Sequence, residues 1–287
     1  MTAGLKYRIM LLGAACLFST GGAAIKAASL SGWQVASFRS GVAALALLAL
    51  LPEARKGWGP RVLPAALAYA CTLVLFVHST KLTTAANAIF LQSTAPIYLL
   101  LLGPVLLAER IRKSDLLFIT VLAFGMGLFF VGTETAATAP DPRRGNVYAA
   151  FSGVAWALTI ASLRWLGKRA GSGASPMAAV VTGNILAFLA ALPMALPVER
   201  IGVGDALVLV YLGVVQVGLA YVFMTRALRH IPAFEAGALI LIEPVLNPIW
   251  AWLVHGERPG NWAAAGGAVI LLATLANTWR QSRARMP

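Results

Sequence analysis

The sequence has few charged residues, two cysteines and none of three common catalytic or metal-binding motifs, and these absences exclude several classes of protein. Only 11% of its 287 residues are charged, against about 25% in soluble domains, so the chain cannot cover a soluble surface with charge. The cysteines, Cys16 and Cys71, lie in apolar stretches and indicate neither a disulfide framework nor a metal site. No GxSxG, CxxC or HExxH motif occurs. We therefore expect no enzymatic activity, no cofactor and no bound metal.

Apolar runs account for most of the chain. Hydrophobic residues make up 59% of the sequence, and the mean hydropathy is +0.79. A helix needs about 20 apolar residues to cross a bilayer. Ten such runs, separated by charged or Pro/Gly-rich breaks, lie at 7–28, 31–51, 61–80, 84–107, 114–132, 145–166, 175–196, 203–228, 233–254 and 260–279. The predicted fold class is an all-α membrane protein with ten transmembrane helices, in contact with the lipid bilayer.

The basic residues indicate how the runs are oriented. The formal net charge is +13, but Lys and Arg lie in the short gaps between runs, which argues against a nucleic-acid partner. With a cytoplasmic N-terminus, sixteen of these residues fall at cytoplasmic ends and one, Arg39, lies within a run. Only six fall at the opposite ends: Lys26, Lys81, Arg143, Arg144, Arg200 and Arg258. The positive-inside rule therefore predicts a multi-pass protein of a bacterial-type inner membrane with both termini in the cytoplasm.

The chain also contains a weak internal repeat. An offset of 148 residues pairs Pro96 with Pro244 and Glu109-Arg110 with Glu257-Arg258, and an offset of 138 pairs Phe18 with Trp156. The boundaries expected are a first repeat at 1–132, a connecting loop at 133–144 and a second repeat at 145–287. Each repeat has five runs, and because five is odd the second repeat must enter the membrane inverted. Inverted repeats are typical of secondary transporters, which bind solute between the halves.

These repeated segments resemble the EamA-domain type of the drug/metabolite transporter superfamily. The resemblance lies in residues 81–88 through Pro96 to Glu109-Arg110, and again in residues 227–236 through Pro244 to Glu257-Arg258. Phe18 stands where the family usually has a tryptophan. The resemblance implies a secondary transporter that exports small metabolites by alternating access of the two halves.

Aromatic or neutral amino acids are the favoured substrates, as in exporters of the YddG type. The alternatives are an exporter of other drugs or organic cations, or a structural or channel-like membrane protein without alternating access. Whether the protein is a monomer or a homo-oligomer stays open.

Polar and aromatic residues within the runs are the candidates for binding a small-molecule substrate, since buried charges and amides in a bilayer are costly and usually face a cavity or a partner. Glu243 is the strongest candidate, with Asn247 and Trp250 at i+4 and i+7 on the same helical face. Its alternative is a structural carboxyl, protonated or paired with Arg39. Only Arg39 and Lys26 offer cavity cations, so a solute of near-zero net charge is favoured.

The remaining candidates come from other runs. Gln92 belongs to the matching face of run four, near Tyr98, with an interhelical hydrogen bond as its alternative. Arg39 is a candidate partner for a solute carboxylate, or else a paired arginine. His78 is a candidate proton relay, with an interhelical contact as its alternative. Trp156 and Tyr221 are candidate aromatic walls of the cavity, with the aromatic belt of the membrane interface or core packing as the alternatives. Glu109 and Glu257 are interpreted as structural residues at helix ends.

Overall fold

The computed structural model describes residues 3–106, 113–131, 137–168, 174–227, 230–231 and 239–283, and its regular elements in these ranges are helical. The α-helices are α1 (Ala3–Ser19), α2 (Gly21–Ala27), α3 (Gly32–Leu50), α4 (Leu63–Leu82), α5 (Ala85–Gln92), α6 (Ala95–Leu106), α7 (Lys113–Leu128), α8 (Pro142–Lys168), α9 (Pro176–Ala195), α10 (Val203–Val210), α11 (Ala220–Ala227), α12 (Ile242–His255) and α13 (Asn261–Arg283). A π-helical segment (Tyr211–Leu219) joins α10 to α11, and 3₁₀ turns lie at Pro52–Arg55 and Pro60–Val62. The all-helical prediction is confirmed.

Among the residues that the structure describes, seven helical stretches are long and apolar enough to cross a membrane. They are Leu5–Ala27, Gly32–Leu50, Pro60–Leu82, Pro142–Leu163, Pro176–Ala195, Val203–Ala227 and Asn261–Arg280. Two shorter apolar helices, Ala85–Leu101 and Asp115–Leu128, lie where runs four and five were predicted. Run nine is represented by α12, and its first residues lie outside the described part of the chain. Ten crossings therefore stay a prediction.

Within the described ranges, three of the predicted runs are interrupted, and the sequence explains two of the breaks. Between α5 and α6 the chain bends at Ser93-Thr94, because Pro96 has no N–H and its ring would clash with the carbonyl of residue 92 in a continuous helix. Between α1 and α2 the hydroxyls of Ser19 and Thr20 donate to carbonyls three residues earlier, at 2.7 Å each. Such bonds favour a bend over a straight helix. The third break precedes α12, two residues before Glu243.

The first-half helices pack mainly on second-half helices. The largest contacts join α4 to α8 and α9, α3 to α9, α7 to α13, and α1 to α11. Each half therefore buries its apolar faces against the other.

One end of the bundle, here called the Lys26 end, is held by a buried ion pair. The Lys26 ammonium lies 3.0 Å from a Glu257 carboxylate oxygen, with side chains 5% and 3% exposed. Lys26 also donates to the carbonyls of Thr83, at 2.8 Å, and Thr138. The other Glu257 oxygen accepts from the N–H of Ala85 at the start of α5, at 2.5 Å. Lys26, which the sequence offered as a second cavity cation, is engaged here instead.

The opposite end, here called the Tyr7 end, joins the start of α1 to the region after α11. The rings of Tyr7 and His230 stack with centroids 3.9 Å apart. Arg280 of α13 donates to Asp115 of α7 at 2.8 Å. Glu109 and Arg110, which the repeat pairs with Glu257 and Arg258, lie outside the described residues.

Candidate solute-binding cavity

A small cavity lies between the helices at the level of their breaks. Its volume is about 80 Å³, below the roughly 300–1,000 Å³ of sites that hold small organic ligands. The described conformation therefore has room for a few waters, and a solute of amino-acid size requires the helices to separate. The lining residues are Phe18, Arg39, Tyr69, Thr72, Leu73, Phe76, Gln92, Trp156, Gln216, Val217, Tyr221 and Glu243.

Each break in a helix brings a lining residue to this cavity. Phe18 precedes the bend between α1 and α2, Gln92 ends α5, and Glu243 lies in the first turn of α12. Gln216 and Val217 belong to the π-helical segment. Interrupted helices and π segments concentrate at functional sites because they release or redirect backbone groups that a regular α-helix would use internally.

Arg39 is buried in this cavity, with 2% of its surface exposed. One of its terminal nitrogens donates to the carbonyl of Leu73 at 3.3 Å, and Nε has no hydrogen-bond partner among the described residues. The aromatic rings of Tyr69 and Tyr221, which also line the cavity, pack edge to face with centroids 5.1 Å apart. The guanidinium thus keeps a free donor beside the cavity.

Glu243 is half-buried and lies beside Tyr221. Within the described ranges it forms no ion pair with Arg39, because the ion pairs found there join Lys26 to Glu257 and Arg280 to Asp115. It lies in the first turn of α12, where the positive end of the helix dipole would stabilise a carboxylate. The cavity thus contains one acidic and one basic side chain that do not neutralise each other directly.

Gln92 and Trp156 also line the cavity. Gln92 donates from Nε2 to the hydroxyl of Ser152 at 2.6 Å. Both interpretations made for Gln92 therefore apply, since it faces the cavity and links α5 to α8. Five of the nine candidates, Arg39, Gln92, Trp156, Tyr221 and Glu243, come together at this site.

The other four candidates lie elsewhere. Asn247 is fully buried against Gly22, and Trp250 donates from Nε1 to the hydroxyl of Ser19 at 2.9 Å. Both share the face of Glu243, but at 1.5 Å of rise per residue they lie about 6 and 10 Å further along α12. They contact α1 and α2 instead of the cavity.

Tyr98 and His78 are also placed away from the cavity. The ring of Tyr98 lies against Gly153. The Nδ1 atom of His78 is 2.8 Å from the carbonyl of Val74, and its ring packs against that of Trp33 with centroids 4.1 Å apart. His78 thus makes the interhelical contact that was its alternative, whereas Tyr98 packs against α8 instead of lining the cavity.

Residues 202–205 read Gly-Val-Gly-Asp, a GxGD pattern of the kind expected of an intramembrane enzyme, so the surroundings of its aspartate decide how it is interpreted. Here the carboxylate of Asp205 accepts from the N–H and the hydroxyl of Ser29, both at 2.7 Å. It also accepts from the N–H of Gly202 at the start of α10. Asp205 therefore joins two helix ends at the surface.

Gln216, Tyr69 and Thr72 are polar lining residues that the sequence did not single out. Gln216 is the one amide within 203–228, so the energetic cost that identified Glu243 and Gln92 also applies to it. Tyr69 and Thr72 carry weaker signals, because single hydroxyls are frequent in membrane helices that pack closely.

Comparison with known proteins shows which family and which relatives this chain resembles. The model of the EamA-like transporter family matches residues 5–131 and again residues 143–279. The pseudopaline exporter CntI of Pseudomonas aeruginosa strain UCBPP-PA14 is 27% identical over 271 residues, covering 90% of this chain and 91% of the relative. The same exporter from strain PAO1 is 27% identical over 274 residues, with the same coverage. A solved crystal structure, 18% identical, shares the fold with a TM-score of 0.63 over 98% of this chain and 99% of the other.

Proposed function

Since the chain belongs to the EamA-like transporter family, we propose that it exports small metabolites by alternating access of two halves. The protein is a membrane transporter and not an enzyme. The resemblance to this family is confirmed. The outward direction is supported by the relatives, which are named as exporters.

The two halves are proposed to be inverted repeats of five spans each, at 1–132 and 145–287. Packing supports this, because the contacts come in pairs related by exchanging the halves. In the first half α4 contacts α8 of the second half, and correspondingly α11 and the π segment of the second half contact α1 of the first half. The contact of α5 and α6 with α8 likewise corresponds to that of α12 with α1 and α2.

Amino acids with aromatic or neutral side chains are the proposed substrates, as in exporters of the YddG type. The observation that carries this proposal is that one acidic and one basic side chain, Glu243 and Arg39, line the same cavity without forming an ion pair. An amino acid presents an ammonium group and a carboxylate, which these two side chains can bind separately. The Trp156 and Phe18 rings provide apolar surface for its side chain. An organic cation, the second candidate, would use Glu243 but would be repelled by Arg39.

The proposed membrane is the bacterial inner membrane, with the Tyr7 end of the bundle in the cytoplasm. The charge count supports this orientation. Only a minority of the basic residues lie at the helix ends that would face away from the cytoplasm, among them Lys26, Lys81, Arg144 and Arg200.

The test is transport by purified protein in liposomes, with labelled amino acids and organic cations, with and without a pH gradient. Replacing Glu243 by Gln keeps the shape and removes the charge. We expect amino-acid transport to fall roughly tenfold or more, because a hydrogen bond to a charged group contributes about 1.5–3 kcal/mol. The control is Glu53→Gln, at an exposed position remote from the cavity, which should transport normally.

Two results would count against this role. Wild-type transport by Glu243→Gln would make the carboxylate dispensable. Failure of the variant to insert or fold would instead assign Glu243 a structural role.

A further inference from the structure

Gln216 is a buried amide that faces the cavity from the π-helical segment. Only 6% of its surface is exposed. It lines the same cavity as Arg39, but Arg39 comes from the first half of the chain and Gln216 from the second. In the π segment the i→i+5 pattern changes the angular position of each side chain relative to a regular helix. Deviations of this kind are usually retained where they place a functional group.

The orientation of the amide is determined by its neighbour. Nε2 of Gln216 is 3.4 Å from the carbonyl oxygen of Phe18, and a carbonyl can only accept. The nitrogen must therefore face Phe18, and the oxygen Oε1 points away. This oxygen is buried and has no hydrogen-bond partner among the residues that the structure describes.

Gly21 makes space for this arrangement. A Cβ atom at position 21 would lie 2.7 Å from Nε2 of Gln216 and 3.3 Å from its amide carbon. Any larger residue at 21 would displace the amide from the Phe18 carbonyl. The bend between α1 and α2 and the π segment are thus fitted to each other around Gln216.

A buried acceptor without a partner costs about 1–3 kcal/mol, so it requires an explanation. We propose that the Gln216 carboxamide oxygen accepts a hydrogen bond from the transported solute and determines specificity for a solute that carries an ammonium group. This inference rests on the proposed function. It assigns two acceptors, Gln216 and Glu243, to the ammonium and leaves Arg39 for the carboxylate.

The test uses three probes in liposome counterflow. They are L-phenylalanine, 3-phenylpropanoate, which lacks the ammonium, and 2-phenylethylamine, which lacks the carboxylate. Gln216→Met keeps the length of the side chain and removes the acceptor. We expect it to raise the KM for phenylalanine roughly tenfold or more, while the KM for 3-phenylpropanoate stays the same. Gln216→Glu retains an acceptor oxygen and should keep the preference for phenylalanine.

The control is Gln34→Met, which removes an amide of equal length at the start of α3, away from the cavity. It should leave the ratio of the two KM values unchanged. A purely structural Gln216 would lower transport of all three probes together in Gln216→Met and Gln216→Glu, without changing that ratio. This result, or an unchanged ratio with normal transport in Gln216→Met, would overturn the proposal.

A second measurement separates this proposal from the choice of substrate. Gln216→Cys and Leu219→Cys are prepared in a background in which Cys16 and Cys71 are Ala, and both are treated with a membrane-impermeant cationic methanethiosulfonate. Leu219 lies on the same span and is 40% exposed on the outside of the bundle. Labelling at 216 and not at 219 is expected, and no labelling at 216 would overturn the proposal. If the wild type carries none of the probes, the amino-acid proposal fails, whereas labelling at 216 would still support a position of Gln216 on a water-accessible cavity.

Discussion

Removing one partner of the Lys26–Glu257 ion pair should destabilise the protein far more than removing one partner of a typical surface ion pair. The pair is almost fully buried, with side chains 5% and 3% exposed. Taking away either partner leaves the other charge uncompensated in a low-dielectric environment, at a cost of about 3–5 kcal/mol. Lys26→Met and Glu257→Gln are suitable changes because both keep the approximate length of the side chain.

The two changes should differ in size. After Lys26→Met, the Glu257 carboxylate keeps only the N–H of Ala85, so we expect a loss near 5 kcal/mol. After Glu257→Gln, the ammonium keeps the carbonyls of Thr83 and Thr138, so the loss should be nearer 3 kcal/mol. The double variant has no unpaired charge, and its total loss should be well below the two single losses combined. The expected coupling free energy is about 3 kcal/mol, which is large for a contacting pair.

The measurement is reversible unfolding by SDS in mixed micelles, followed by tryptophan fluorescence, for the wild type, both single variants and the double variant. The control is Arg280→Met at the Tyr7 end. Its ion pair with Asp115 has side chains 39% and 12% exposed, so its loss should be at most about 1 kcal/mol. Additive single losses, or losses no larger than that of the control, would refute the reasoning.

Two further predictions concern close packing and topology. Gly22→Ala should cost about 1–3 kcal/mol in the same assay, because its Cβ would lie 2.7 Å from the Asn247 amide oxygen. Gly13→Ala in the same span is the matched control, since its Cβ meets the Phe223 ring at 3.4 Å, and equal losses would contradict the packing argument. In cells with Cys16 and Cys71 replaced, an impermeant maleimide should label a cysteine at Pro140 and spare one at Lys56. The opposite pattern would reverse the proposed orientation.

The sequence by itself determined the helical architecture, because backbone hydrogen bonds must be satisfied within a bilayer and continuous runs of about 20 apolar residues satisfy them as helices. The predicted run 31–51 is observed as Gly32–Leu50, and run 175–196 as Pro176–Ala195. It also identified Glu243, Gln92 and Arg39 as cavity candidates, since the cost of burying polar groups in lipid depends on the residue type and its depth.

Only the tertiary structure decided which candidates share a site. Helical periodicity placed Glu243, Asn247 and Trp250 on one face, but the break before α12 puts Glu243 at the cavity and directs the others to α1 and α2. Lys26 and Glu257 are 231 positions apart, and no local pattern connects them. Gln216 reaches the cavity through a π segment and the space left by Gly21. Periodicity describes a side chain's direction around one helix, whereas its partners depend on where helices bend and which helices lie opposite.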